Sequence, residues 1–203
     1  MMSETTYDSI EFAERELKKR LNEYGFAHSV GVATTASLMA TLYGVNPLDA
    51  YMAGLLHDWD RNETEENLIA RARRFGIDVD DIIACSPRLV HAHTGAYGAR
   101  EYFESCANPF ELTDEVFHAI EHHTVGVPDM SELDMIVYVS DMIEPSRSFP
   151  AVESLREMVG TIGLDQLFFQ AYQQTMKHLV TYKKVIHPDT LGVWNSLVLK
   201  VEE

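Results

Sequence analysis

Apolar residues recur along this chain at every third or fourth position. The strict alternation that marks a half-buried strand is missing, and so are the Asn-Gly and Asp-Gly pairs that close tight hairpins. That pattern restricts the fold to an all-α class, in which amphipathic helices bury their apolar stripes against one another. Helices are expected near 8–23, 28–43, 47–58, 64–75, 87–104, 114–123, 132–143, 150–159 and 164–183. Several starts are marked by capping chemistry. Asn46 precedes Pro47, with Asp49 in the first turn, and Ser86 precedes Pro87 in the same way. Ser131-x-x-Asp134 reads as a capping box with Asp in place of Glu. Thr113 reads as a cap flanked by a staple from Leu112 to Phe117, and Gly76 as a helix stop. No repeat, low-complexity tract or Gly/Ser/Pro linker divides the 203 residues, so a single domain over 1–203, with its core about 20–195, is expected.

Composition narrows the partners. Sixteen basic residues against thirty-two acidic ones give a formal charge of −16, whose field repels nucleic-acid phosphates and anionic membranes. No nucleic-acid partner is expected. The same field repels a small phosphorylated substrate, so an enzyme acting on one needs local positive charge in its cleft, from a metal or from arginines. Cys85 and Cys106 form no C-x-x-C pair and are too few for a disulfide scaffold, which suits a reducing compartment, the cytoplasm by default. No stretch of about 18 uncharged apolar residues suggests a membrane span. A homodimer is an assembly such a chain could form.

Six residues combine imidazoles and carboxylates at helix ends or along apolar helices: His28, His57, Asp58, His91, His123 and Asp141. Such groups ligate iron, manganese or zinc, and a cluster drawn from several helices can hold one or two ions inside a bundle. Ala50, Ala53, Gly54 and His57 share one helix face, where small side chains admit another helix closely. A helix ending there projects His57 and Asp58 into one space. Asp141 lies in the otherwise apolar segment DMIVYVSDMIE, where a buried carboxylate is costly unless a cation accompanies it. The plainer reading is an Asp141 on a solvated helix edge paired with Arg147. Two doublets leave the register open, His122 against His123 and His93 against His91. If the 114–123 helix packs through Val116, Ile120 and His123, then His118 and His122 lie nearer solvent. His118, His122, His178 and His187 are read as structural.

Taken together, the strings HSVGVA from His28, AGLLHD (53–58), LVH (89–91), AIEHHTVG (119–126) and YVSDMIEPSR (138–147) resemble, in order, the HD-domain symmetrical bis(5'-nucleosyl)-tetraphosphatase (YqeK-like) family. The match runs from about residue 20 to Asn195, and HD followed by HT-x-G and D-x-I-E-P-x-R is what makes it specific. The resemblance implies an HD-type helical bundle and an iron centre held by His28, His57, Asp58, His91, His123 and Asp141. The activity it implies is hydrolysis of diadenosine tetraphosphate, or a related dinucleoside polyphosphate, to two ADP. It favours His123 and His91 in the two doublets, and it places the nucleotide near Thr124, Thr181, Tyr182 and Lys183. The chain departs from the family pattern at Gly25, where an arginine is common, at Arg61, where lysine is common, and at Ser140, where alanine is usual.

For the chemistry, Asp58 is expected to bridge ions or orient water, with Arg147 and Arg61 clamping phosphates. Pro145 should end the preceding helix so that Arg147 folds back toward the metal. Two alternatives stay open: another HD phosphohydrolase acting on nucleotides or cyclic dinucleotides, and a non-catalytic nucleotide-binding module. The C-terminal stretch LDQLFFQAYQQTMKHLVTYKK carries an aromatic stripe that reads as core packing.

Overall fold

The computed structural model describes residues 4–106 and 111–201, and among them there are α-helices and one 3-10 turn but no strand. In chain order the helices are α1 (Glu4–Lys18), α2 (Glu23–Tyr43), α3 (Pro47–Leu56), α4 (Glu65–Arg74), α5 (Asp81–Cys85), α6 (His91–Ser105), α7 (Asp114–His122), α8 (Glu132–Ile143), α9 (Val152–Met158), α10 (Leu164–Thr181) and α11 (Pro188–Val201).

The expected caps form at all of the marked starts but that of Ser86. The Asn46 side chain accepts from the Leu48 amide, Thr113 from Val116, and the Ser131–Asp134 capping box closes in both directions. Gly44 and Gly76 follow α2 and α4 at φ +80° and +74°, a conformation that costs glycine nothing and lets Val45 and Ile77 bond back to the carbonyls of Ala40 and Ala72. Three helices are bounded differently from expectation, and the first of them, expected at 8–23, runs over Glu4–Lys18. Asn22 caps α2 through the Gly25 amide, so that helix starts five residues before His28. Ser86 makes no side-chain cap, and Pro87–Val90 is a 3-10 turn that ends where α6 begins at His91. The short α5 and the C-terminal α11 were not expected. In α11, Val193 and Leu197, four apart, are buried, and Trp194 stacks on Phe169 at 5.8 Å.

α8 is the axis of the bundle. Every residue from Leu133 to Ser140 is buried, which accounts for its nearly uninterrupted apolar sequence. It packs against α2, α3, α7 and α10, while α3 lies across α2 along its length. Gly54 makes that second contact close: a Cβ there would lie 2.9 Å from Ala33 Cα. The main core runs through α1–α3 and α6–α11, and Leu68, Ala72, Ile83 and Val90 form a smaller cluster under α4 and α5. No helix among the described residues is long and apolar enough to cross a membrane.

Candidate metal centre and nucleotide cleft

Four helix ends and one helix interior converge on one buried point. His28 comes from the second turn of α2, His57 and Asp58 from the end of α3, His91 from the start of α6, His123 from the end of α7, and Asp141 from the last turn of α8. The four imidazoles and Asp58 are buried, while the Asp141 side chain keeps 25% of its exposure. The rings form a row, His28 to His57 at 5.2 Å, His57 to His123 at 4.8 Å and His123 to His91 at 5.1 Å between centroids.

Each Nδ1 in that row has an acceptor behind it. In His57 it lies 2.7 Å from Gly54 O, in His91 2.6 Å from Arg88 O, in His123 2.7 Å from Ile120 O, and in His28 2.9 Å from Glu144 Oε1. Assigning the proton to Nδ1 leaves four Nε2 lone pairs turned inward, the tautomer that a metal requires and that outer hydrogen bonds fix. The carboxylate of Asp58 is shared between the two ends. Its Oδ2 is 3.4 Å from His57 Nε2, and its Oδ1 is 3.1 Å from His91 Nε2 and 3.8 Å from His123 Nε2. Two sets of donors result, His28–His57–Asp58 and Asp58–His91–His123, and within each the donor atoms lie within 4.8 Å of one another. His57 Nε2 is buried without a hydrogen-bond partner. A buried orphan costs about 1–3 kcal/mol, and a cation among these donors removes that cost, so the residues fit a metal ion.

The electrostatics of the row alternate. Burial opposes charge on His57, but attraction to the carboxylate of Asp58, then to Asp141, and the hydrogen bond to the Gly54 carbonyl outweigh it and push the imidazolium up to about 9. Burial pushes the neighbouring His123 down to about 3, helped by the charges of His57 and His91. Burial would raise both carboxyls. Instead the His57 and His91 contacts hold Asp58 far below its ordinary value, and His28, His57 and Arg147 do so for Asp141. The centre therefore keeps two ionised carboxylates in a protein interior, an arrangement that needs positive charge beside it.

A guanidinium stands at each end of the row. Arg147 Nη2 lies 3.1 Å from His28 Nε2 and also bonds Asp141 Oδ1, while its Nε donates to Asp141 O at 2.7 Å. α8 ends before Pro145 and the chain turns back, as expected, and the pairing of Arg147 with Asp141 occurs as well. Arg61 Nη1 is 3.4 Å from His91 Nε2. Thr124 Oγ1 sits 3.1 Å from His123 Nε2. Beside the His28 end opens a cleft of about 680 Å³ whose walls include Tyr24, Arg147, Phe149, Thr181 and Tyr182. Thr181 and Tyr182 thus face the cleft, not the centre. Lys183 is absent from its walls and takes a left-handed φ of 51° after α10.

In both doublets the structure brings the expected histidine to the centre. His122 turns to Asp134 and Glu121, and His93 lines a separate cavity with Glu121, His122 and His187. Ser140 is fully buried and bonds Met39 Sδ, and Gly25 lies in the first turn of α2. Sequence reasoning passed over Glu144, the glutamate of the quoted EPSR string. It is 2% exposed, accepts from His28 and from the Ser146 amide and hydroxyl, and occupies space that a Cβ on Gly31 would fill at 2.7 Å. Asp60 was also passed over. Fully buried, it accepts from Arg71 Nε at 2.7 Å and ties the turn after Asp58 to α4. Trp59 anchors the same turn in the core with the Arg20 guanidinium 4.0 Å above its ring.

Known proteins share this arrangement of sequence and fold. The chain is 34% identical to the Bis(5'-nucleosyl)-tetraphosphatase, symmetrical, of Halalkalibacterium halodurans, over 91% of this chain and 94% of that one. It is 33% identical to the protein of the same name from Bacillus subtilis, over 90% and 94%. A solved structure described as a predicted HD superfamily hydrolase involved in NAD metabolism, from Clostridium acetobutylicum, superposes with a TM-score of 0.85 at 29% identity, covering 95% of this chain and 98% of that one. The HD domain family model matches residues 25–146, a span that contains all six convergent residues, and the chain belongs to the HD domain family.

Proposed function

We propose that the chain is a metal-dependent phosphohydrolase that cleaves diadenosine tetraphosphate, and related dinucleoside polyphosphates, symmetrically into two ADP. The observation that carries the reading is the buried row of four inward Nε2 atoms with Asp58 shared between its ends and a guanidinium at each end. The names of its relatives support the substrate class. His28, His57, Asp58, His91, His123 and Asp141 are the ligands of one or two ions, iron first, with manganese or zinc as alternatives. The protein works as one helical domain, and a chain with only two cysteines, Cys85 and Cys106, suits the cytoplasm.

When bound, such a cation supplies Lewis acidity and brings the pKa of water toward neutrality. The rest falls to the chain. Asp58, held ionised, accepts a hydrogen bond from the attacking water and so orients it. Arg147 and Arg61 hold phosphate oxygens bidentately, and the Thr124 hydroxyl donates to another. Arg147 lies against two atoms that a cation would also take, and it already lines the cleft in which its guanidinium would meet a phosphate. Thr181 and Tyr182 border the nucleoside there. Water attacks one of the two inner phosphorus atoms, the bridging P–O bond at the centre of the tetraphosphate breaks, and ADP leaves as the anion on one side while ADP forms on the other.

Incubation of the iron- or manganese-loaded protein with a nucleotide panel, followed by chromatography, tests this. ADP as sole product from diadenosine tetraphosphate is expected, and ATP with AMP refutes the symmetrical assignment. Asp58→Asn, checked for helicity by circular dichroism, is expected to fold and lose nearly all turnover.

A further inference from the structure

α7 carries a second set of donors, separate from the six residues of the centre. His118, Glu121 and His122 occupy positions i, i+3 and i+4 and so share one face of the helix. Their donor atoms lie within 4.8 Å of one another, and the His118 and His122 rings are stacked at 5.5 Å and 19°. Glu121 Oε2 sits between them, 3.5 Å from His118 Nδ1 and 3.6 Å from His122 Nε2. Those separations exceed a good hydrogen bond. They approach the spacing of about 3.3–3.4 Å between tetrahedral ligands each about 2.0–2.1 Å from a zinc ion.

A second observation concerns what stands behind His122. Its Nδ1 lies 3.4 Å from Oδ2 of Asp134, a carboxylate 3% exposed and fixed by the Ser131 amide at 2.9 Å. The other oxygen of Asp134 is buried and has no partner. A buried carboxylate behind an imidazole selects the Nδ1–H tautomer and turns Nε2 outward to Glu121, which repeats at this place what Glu144 does for His28. The set is also reachable. The His118 side chain is 54% exposed and those of Glu121 and His122 are 16% exposed, so an ion from solvent needs no opening of the fold. Two histidines four apart on a helix are a recurrent zinc-binding pair, and the acidic field of the chain favours a cation here.

We propose that His118, Glu121 and His122 bind a divalent transition cation of the zinc class, with water completing the tetrahedron. This reassigns His118 and His122 from the structural role read in the sequence. The ion ties the last turn of α7, immediately before His123. The proposal does not depend on the activity of the main centre.

Equilibrium dialysis of the full chain against zinc, followed by elemental analysis, tests it. The wild type is expected to retain one zinc per chain more than His118→Ala, and Asp58→Asn to retain that additional ion. Glu121→Gln is expected to weaken it at least about tenfold. His118→Ala is expected to keep wild-type turnover with manganese. In the Asp58→Asn protein, zinc is expected to shift the His118 and His122 ring resonances. Equal zinc content in the wild type and His118→Ala, or ring resonances that zinc leaves unmoved, overturns the proposal.

Discussion

Gly54→Ala probes what holds the two halves of the centre at their present distance. An added Cβ would lie 2.9 Å from Ala33 Cα, 3.0 Å from Ala33 N and 3.2 Å from the Val32 carbonyl carbon, all backbone atoms of α2 that no side-chain rotation can move. Ordinary carbon contact requires α2 and α3 to part by roughly 0.6–1.1 Å. Overpacking of this kind costs about 1–3 kcal/mol, and the higher helix propensity of alanine returns about 1 kcal/mol. The net destabilisation is thus about 0–2 kcal/mol, or at most about 4–8 °C in Tm for a chain of this size. The functional cost is expected to be larger in proportion. His28 rides on α2 and His57 with Asp58 on the end of α3, and their rings are now 5.2 Å apart. A shift near 1 Å between catalytic groups can cost about 100-fold, so a loss of about 10–100-fold in kcat/KM, with weaker metal affinity, is expected. Thermal unfolding, metal titration and steady-state kinetics on diadenosine tetraphosphate measure the three effects. Gly192→Ala in α11 is the control, since its nearest neighbour would be Pro128 Cγ at 3.8 Å, and it should raise stability by about 0.5–1 kcal/mol with unchanged kinetics. A folded Gly54→Ala protein with wild-type metal affinity and kcat/KM would show that the α2–α3 contact does not set the geometry of the centre.

Three further outcomes are expected. Glu144→Gln removes the charge behind His28 Nδ1 and should weaken metal affinity about 10–100-fold while the fold persists, and unchanged affinity by titration would remove Glu144 from the positioning of His28. Arg147→Ala should lose about 2–4 kcal/mol of transition-state stabilisation in kcat/KM and keep ADP as product, whereas a mere ion pair with Asp141 predicts no kinetic change. Lys19, Tyr102 and Arg15 donate to Glu16 and lower its carboxyl from 4.5 to about 2, so its contribution to stability is present above pH 4.5 and disappears as pH falls through about 2. With Lys19 and Arg15 largely in solvent, that contribution is about 1 kcal/mol, and unfolding of Glu16→Gln against wild type should show it at pH 7 and lose it near pH 2.

Local rules were enough for much of the fold. Side chains such as Asn46, Thr113 and Ser131 bond amides within three residues of themselves, so the starts they set are legible without knowledge of any neighbour. Half of the centre was legible for a different reason: Asp141 in an apolar helix and the His57-Asp58 pair at a helix end are costly features that call for a cation, whereas His28, His91 and His123 were picked out by the family resemblance. Only the tertiary structure decided the rest. Asp58 is shared because α6 and α7 deliver His91 and His123 to one of its oxygens while α3 holds His57 beside the other, a relation between segments far apart in sequence. Glu144 and Asp60 act through partners 116 and 11 residues away, Arg147 lies against His28 across 119 residues, and α11 is held by packing on Phe169 more than by its own pattern. The choice of His123 over His122 is likewise a matter of which face of α7 meets α3 and α8. Helix periodicity brings both residues near the bundle, and only the packing of the neighbouring helices separates a buried Nε2 from one that faces Glu121 near the surface.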